Sequence, residues 1–240
     1  MATMTVLGSS SSGNGYILDA NGEVLMIELG CRWEDYLQAL QFDISRVVAS
    51  VVSHIHGDHL DKKTASKVLT FGIPLYSCQE VADKYKGVLP LKKGEKMKLG
   101  GYTVQPIPLT HNCECIGFLI EHPAFGRLVF ASDTNSFPYR FREVNHVFLE
   151  VNHDEETMID RMCAGHKISS HPENHLSLEQ AKDAINRNKS LSLQTICCIH
   201  LSDGNANEKR ILDAMKEIMP TAKVICADKG MIIELNKEEF

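Results

Sequence analysis

Hydrophobic residues in the first two thirds of the chain fall in short runs separated by turn-forming residues, a pattern typical of β-strands. The dipeptide Asn21-Gly22 separates two such runs and predicts a tight hairpin. The run over residues 46–53 is apolar and rich in β-branched side chains, which favours a buried strand. Strands are predicted over residues 5–7, 16–20, 23–29, 46–53, 103–109, 116–121, 127–131 and 146–151.

The last third of the chain alternates helical spacing with short strands. Helices are predicted over residues 33–40, 60–69, 178–188 and 207–218, and further strands over 194–199, 223–227 and 231–235. Two sheets packed face to face with helices outside would bury such strands on one side and cover them on the other. No linker divides the 240 residues, of which 43% are hydrophobic. We therefore expect one α/β domain over residues 1–240, a four-layer αββα sandwich.

The composition limits the partners and the cellular location that we expect for the protein. The formal net charge of −6 argues mildly against a protein coated by nucleic acid, although carboxylates that bind metal ions also count as negative. No apolar run approaches the length of a membrane helix, and the N-terminal residues do not follow the pattern of a secretory signal. The adjacent Cys197 and Cys198 lie in an apolar run, which is typical of reduced core thiols. We expect a cytoplasmic protein with no membrane partner and leave its oligomeric state open.

The most informative segment is His54-Ile55-His56-Gly57-Asp58-His59. It offers three imidazoles and one carboxylate, which are ligands for zinc, iron or manganese. It follows the predicted strand over residues 46–53, and many α/β proteins build their sites at this end of a strand. Gly57 is expected to let the chain turn between the ligands. The alternative, a polar loop with accidental histidines, accounts for neither the spacing nor the position.

Three more candidate ligands each follow a predicted strand: His111, Asp133 and His200. Taken alone, such an aspartate usually caps a turn, and such a histidine is usually hydrogen-bonded at a strand edge. Together with the first loop they can complete a two-metal site, with Asp133 bridging ions roughly 3.5–4 Å apart. One ion would be held by His54, His56 and His111, and the other by Asp58, His59 and His200.

This ordered set of motifs resembles the metallo-β-lactamase fold superfamily of binuclear metallohydrolases. The resemblance covers nearly the whole chain. It implies the metallo-β-lactamase fold and two divalent ions, with zinc expected first and manganese or iron as alternatives. It also implies hydrolysis by a water that bridges the two ions, which Asp58 would help to orient.

Within the superfamily, the nucleic-acid-processing branches similar to ribonuclease Z add a histidine before the last ligand and a glutamate paired with it. His175 and Glu150 match these two positions. The group that the chain most resembles is the WalJ/YycJ group, which is DNA exonuclease-like. The matching segments are Ser11-Ser12-Gly13-Asn14, Glu150-Val151-Asn152-His153-Asp154, His175-Leu176-Ser177 and His200-Leu201-Ser202. The chain departs from that group at Glu28-Leu29-Gly30, where Asp-x-Gly is usual, and at His111-Asn112-Cys113, where His-Asp-Ala is common.

The resemblance implies a phosphodiesterase or nuclease in which His175, held by Glu150, protonates the leaving oxygen; its substrate would be nucleic acid or another phosphodiester. A hydrolase of thioesters, lactones or β-lactams and a non-enzymatic binding module are the alternatives. The segment from Gly8 to Gly15 is interpreted as a functional loop or, equally, a solvated turn. Cys113 and Cys115 are interpreted as strand residues near the site rather than metal ligands. Residues expected at the rim are His153, Asp154, His166 and His171, with Arg140, Arg142 and Lys167 as phosphate contacts or ordinary surface.

Overall fold

The computed structural model describes residues 1–166, 172–235 and 237. Within these residues the chain forms two seven-stranded sheets. The first sheet contains β1 (Ala2–Ser10), β2 (Gly13–Ala20), β3 (Glu23–Ile27), β4 (Val47–Val51), β5 (Leu75–Ser77), β6 (Val88–Pro90) and β14 (Ile232–Glu234). The second contains β7 (Met97–Leu99), β8 (Tyr102–Thr110), β9 (Glu114–His122), β10 (Gly126–Ala131), β11 (His146–Glu150), β12 (Thr195–Ile199) and β13 (Lys223–Cys226).

Each sheet has an antiparallel part and a parallel part. The first runs in the order β14-β1-β2-β3-β4-β5-β6 and is parallel from β3 to β6. The second runs in the order β13-β12-β11-β10-β9-β8-β7 and is parallel from β10 to β13. The helices are α1 (Trp33–Ala39), α2 (Lys62–Thr70), α3 (Gln79–Lys84), α4 (Glu155–Cys163), α5 (Leu178–Asn188) and α6 (Glu208–Ile218). No helix among the described residues is both long and apolar enough to cross a membrane.

Alternating side chains divide the core into layers. In β11, Phe148 belongs to the core between the two sheets, whereas Val147 and Leu149 belong to the core that α5 and α6 cover. The rings of Tyr16 and Phe130 meet edge to face between the sheets, with centroids 5.1 Å apart. Successive strand residues point to opposite faces, so strands of this kind need cover on both sides. The predicted four-layer αββα arrangement is confirmed.

Local signals agree with several predicted elements. The hairpin turn has Asn21 at φ 56° and Gly22 at φ 90°, with Ala20 paired to Glu23, as an Asn-Gly turn requires. Helix α5 occupies the predicted residues and begins with a capping box formed by Ser177 and Gln180. The prediction missed the short elements β5 to β7, α3 and α4, and α4 has no buried residue to mark its pattern.

A close backbone approach holds the histidine-rich loop against the first sheet. Gly30 N donates to Asn14 O at 2.8 Å, and Asn14 N donates to Asp58 O at 2.7 Å. A Cβ atom on Gly30 would lie 1.7 Å from Asp58 O, so the loop requires glycine there. Gly57 has no positive φ, and a Cβ on it would meet nothing within 4 Å. The expectation that Gly57 enables the turn is therefore wrong.

Replacing Gly30 by alanine should destabilise the fold by about 1–3 kcal/mol, since the added methyl group overlaps Asp58 O and forces the backbone apart. Urea unfolding midpoints measure this free energy. Gly57→Ala is the matched control, with an expected change within about 1 kcal/mol in either direction. Equal losses for the two variants would contradict the assigned role of Gly30.

Candidate metal centre

Side chains from both sheets meet at the edge where β4, β8, β10 and β12 end. The loop after β4 carries residues 54–59, and His111, Asp133 and His200 follow β8, β10 and β12. Asp133 and His200 have left-handed backbones with φ 52° and 55°, and Glu28 after β3 has φ 60°. Such conformations cost a non-glycine residue on the order of 1–3 kcal/mol and cluster at functional sites. Three of them at one edge mark that edge as the candidate site.

In the first cluster, three histidines turn their ring nitrogens towards one another. His54 Nε2 lies 3.1 Å from His56 Nδ1, which lies 3.3 Å from His111 Nε2. Burial lowers the pKa of His54 and that of His111, and neighbouring histidines add to the effect. Uncharged imidazoles are the form that binds a metal ion.

The second cluster joins two carboxylates and two imidazoles. His59 Nε2 lies 3.2 Å from Asp133 Oδ1 and 3.4 Å from Asp58 Oδ2. His200 Nε2 lies 3.4 Å from Asp133 Oδ1 and 3.6 Å from Asp58 Oδ2. Among the described residues, His200 Nε2 is buried without a hydrogen-bond partner. A buried polar atom of this kind calls for a ligand that completes its contacts.

Asp133 lies between the two clusters. Its Oδ2 is 3.6 Å from both His54 Nε2 and His111 Nε2, while its Oδ1 faces His59 and His200. Burial alone would raise the pKa of Asp133, but the charges of His59 and His200 hold it well below its ordinary value. Burial likewise opposes the charged form of His200, yet Asp133 and its carboxylate neighbours raise the pKa of His200 to about 10. Asp133 thus presents one oxygen to each cluster, as a bridging carboxylate would.

The donor set fits a pair of divalent ions. Imidazole nitrogen and carboxylate oxygen suit zinc, manganese and iron alike. Within each cluster the donor atoms lie less than 4.8 Å from one another, which is a span that one ion can fill. The structure brings all seven predicted ligands into these two adjoining clusters: His54, His56, Asp58, His59, His111, Asp133 and His200.

Four of these imidazoles also contact an oxygen through the ring nitrogen that points away from the cluster. Contacts of this type set the tautomer and orientation of a metal-binding histidine. The sequence singled out two of the partners for other reasons, Glu150 as the partner of His175 and Glu28 as a departure from a family pattern, but it predicted none of these four contacts. The contacts are His54 Nδ1–Ser53 Oγ at 2.8 Å, His59 Nδ1–Glu28 Oε2 at 3.4 Å, His111 Nδ1–Asn174 O at 3.2 Å and His200 Nδ1–Glu150 Oε1 at 3.1 Å.

The glycine- and serine-rich segment supports the site from the end of the β1–β2 hairpin. Most of it is strand, so neither the predicted loop nor the solvated turn describes it. Asn14 is fully buried, and its Nδ2 lies 3.0 Å from His59 Nε2. Ser9 Oγ accepts a hydrogen bond from His200 N at 2.9 Å and another from Tyr16 Oη at 2.8 Å.

Glu150 and His175 form a buried pair beside the second cluster. His175 Nδ1 lies 2.6 Å from Glu150 Oε1, and Glu150 is completely buried. The other oxygen of Glu150 accepts from Thr134 N at 2.9 Å and Leu176 N at 3.3 Å. Burial alone would lower the pKa of His175, but the hydrogen bond and charge of Glu150 raise it above its ordinary value.

A cavity of about 300 Å³ opens over both clusters and over the Glu150–His175 pair. Apart from the candidate ligands, most of the described residues that line the cavity are polar and uncharged. This size is at the lower end of small-molecule sites. The lining residues are Ser11, His56, Asp58, His111, Asn112, Asp133, Asn152, Asn174, His175, His200, Leu201 and Ser202.

The residues predicted for the rim lie elsewhere. Asp154 is buried, caps α4 by accepting from Thr157 N at 2.8 Å, and accepts from Asn207 N at 2.8 Å. Neither His153 nor His166 lines the cavity, and the same holds for Arg140 and Arg142. Lys167 and His171 lie outside the described residues.

The two cysteines that follow His111 differ in position. Cys115 is buried in β9, with Sγ 3.7 Å from His54 Nδ1, the nitrogen that faces away from the cluster. Cys113 lies in the turn between β8 and β9, and its Sγ joins the first cluster. Burial raises the pKa of the Cys113 thiol to about 11 in the absence of an ion. The sequence interpretation as strand residues holds for Cys115 but is wrong for the placement of Cys113.

Comparisons with solved structures show the same fold at low sequence identity. The metallo-beta-lactamase fold protein YhfI from Bacillus subtilis is 15% identical, with TM-score 0.72 over 98% of this chain and 100% of that one. A diphosphatase from the PhnP family is 19% identical, with TM-score 0.65 over 99% and 100%. The short form of human tRNase Z is 14% identical, with TM-score 0.61 over 97% and 99%.

Among curated proteins, none matches the sequence closely enough to count as a relative. The sequence pattern of the beta-lactamase superfamily domain, in contrast, matches residues 35–200, which is more than half of the chain. That span includes the loop after β4 and ends at His200. With its two sheets, its outer helices and its histidine–aspartate clusters, the chain belongs to the metallo-β-lactamase superfamily.

Proposed function

We propose that the protein is a binuclear metal-dependent phosphodiesterase that acts on nucleic acid, with chemistry of the DNA exonuclease type. The observation that carries this proposal is the 2.6 Å contact between His175 Nδ1 and Glu150 Oε1 beside the two clusters. Hydrolysis of a thioester, a lactone or a β-lactam needs the metal clusters. It has much less need of a further imidazole that lies beside them and is hydrogen-bonded to a carboxylate.

In this proposal the candidate ligands hold two ions in two groups. His54, His56 and His111 would hold one ion, Asp58, His59 and His200 the other, with Asp133 between them. Two ions there would lower the pKa of bound water and neutralise charge on the phosphoryl oxygens.

His175 supplies the proton in this scheme. Glu150 accepts the hydrogen bond from Nδ1, which leaves Nε2 for the cavity that His175 lines. The raised pKa of His175 favours the protonated ring, and its proton can pass to the leaving oxygen. Asp58 lines the same cavity, and in this proposal it orients the attacking water.

Some of the structural neighbours are named for phosphoester chemistry. A diphosphatase and a tRNase are among the proteins of the same fold. Function resides in the site rather than in the fold, so this likeness adds to the Glu150–His175 contact without replacing it.

A substrate panel tests the proposal directly. The purified protein, supplied with Zn²⁺ or Mn²⁺, should hydrolyse bis(p-nitrophenyl) phosphate faster than a thioester or nitrocefin. Single- and double-stranded DNA and RNA labelled at the 5′ or 3′ end then identify the nucleic acid and the polarity. Preference for the thioester or nitrocefin would contradict phosphodiesterase function, and an inert protein with bound metal would favour a binding module.

Asp133→Asn should lower the metal content from two ions per chain to one or fewer, because a neutral amide has one oxygen and cannot serve both clusters. Inductively coupled plasma mass spectrometry on the dialysed protein gives the ratio. Asp154→Asn is the matched control: it changes another buried carboxylate, and asparagine caps α4 as well as aspartate does. Full metal content in Asp133→Asn would exclude Asp133 as a shared ligand.

His175→Ala should reduce the phosphodiesterase rate by about 10²- to 10⁴-fold, which is the usual contribution of a positioned acid. Metal content should stay the same. His166→Ala, which removes an exposed imidazole outside the cavity, is the control. Since Asp133, Glu150, His175 and His200 also lie close enough to hold an ion, loss of metal from His175→Ala would instead make His175 a ligand.

Glu150→Gln should lower the rate almost as much as His175→Ala when both are assayed at saturating metal. The double variant should lose little more than either single one, because the two side chains act as a unit. A double-mutant cycle on kcat measures the coupling. Losses that multiply would show that Glu150 acts independently of His175, through its 3.1 Å contact with His200 Nδ1.

A further inference from the structure

The first cluster contains a fourth donor that the histidine motif does not include. Cys113 Sγ lies within 4.8 Å of the ligand nitrogens of His54, His56 and His111. The residue is half-buried in the turn between β8 and β9 and is not part of a disulfide. Cysteine and histidine together are typical ligands of zinc.

Two of the separations among the three nitrogens match the edges of one face of a tetrahedron. In a tetrahedral site with zinc–nitrogen bonds of 2.0–2.1 Å, neighbouring nitrogens lie about 3.3–3.4 Å apart. The observed separations are 3.1 Å for His54–His56 and 3.3 Å for His56–His111. An ion bound to that face has further positions for Asp133 and for one more donor, because zinc accepts five ligands as well as four.

The two thiols near His54 differ in where their sulfur atoms lie. Cys113 Sγ lies within 4.8 Å of the ligand nitrogens of all three histidines of the first cluster. Cys115 differs, because its Sγ faces His54 Nδ1 and the carbonyl oxygens of Ser132 and Asp133. Of the two thiols, only that of Cys113 lies on the side of the cluster where an ion would bind.

We propose that the Cys113 thiolate is a ligand of the ion held by His54, His56 and His111. This inference rests on the proposed metal centre but not on the proposed substrate. On binding, the thiol gives its proton to solvent and the sulfur forms a bond to the ion.

A sulfur ligand makes the two metal positions unequal. Thiolate selects soft ions such as zinc, whereas carboxylate-rich sites accept manganese. The first cluster is then a zinc position with three nitrogens and one sulfur, besides the oxygen that Asp133 presents to it. The second, with Asp58 and Asp133, takes zinc, manganese or iron.

X-ray absorption at the zinc edge of the zinc-loaded full chain tests the ligand. The wild type should show an imidazole shell and a zinc–sulfur shell at about 2.3 Å. Cys113→Ser should lose the sulfur shell and bind one of its two zinc ions at least about tenfold more weakly. Cys115→Ser is the matched control and should keep the shell.

Cobalt substitution gives a second readout that does not depend on activity. A sulfur-to-cobalt charge-transfer band in the near ultraviolet should be present in the wild type and in Cys115→Ser, and absent in Cys113→Ser and Cys113→Ala. Circular dichroism checks that each variant is folded.

The outcomes separate the proposals. An imidazole shell without sulfur in the wild type, or a sulfur shell that survives in Cys113→Ser, overturns the thiolate ligand and leaves the metal centre intact. A wild type that binds none of zinc, cobalt, manganese and iron overturns both the thiolate ligand and the metal centre. A sulfur shell in a protein that does not cleave phosphodiesters supports the ligand and removes only the proposed function.

Discussion

The structure depends on the compensation of buried negative charge at one edge of the sandwich. Asp133 and Glu150 are both almost fully buried. Asp133 is surrounded by imidazoles, and Glu150 contacts two imidazoles and two backbone amides. An isolated carboxylate in such a place would cost far more than any single contact returns. The histidine-rich loop, the strand ends and the β1–β2 hairpin therefore have to meet there, or the charges lose their partners.

The parallel strands make that meeting geometrically feasible. Their carboxyl ends lie at one edge, so a single residue after each strand reaches the same space. The cost is local: Glu28, Asp133 and His200 adopt left-handed backbone conformations that side chains other than glycine rarely take. Core packing on both faces of the sheets offsets this strain, and the site has its rigidity from strands rather than from loops.

Sequence patterns predicted the long helices and strands and the motif residues, because these features depend on residues that are close together in the chain. Asn21-Gly22 specifies its own turn, and residues 54–59 carry their ligands within one loop. The short strands β5 to β7 are three residues each, which is shorter than the roughly four to eight residues over which alternation indicates a strand. The contacts that support the candidate ligands could not be predicted for another reason. The contacts of His111 with Asn174 and of His59 with Asn14 join residues that are far apart in the chain. Such pairs follow from the topology and not from any pattern around either residue.

The hydrogen bond from His200 N to Ser9 Oγ spans 191 residues. It joins the first strand to the last predicted ligand, so it forms only after His200 has been synthesised. During translation, His54, His56 and His59 emerge long before Asp133 and His200. Loop-closure entropy makes contacts of such long range late and slow events in folding. The two halves of the centre are thus separated in time as well as in sequence, and a nascent chain carries an incomplete set of ligands until His200 has been synthesised.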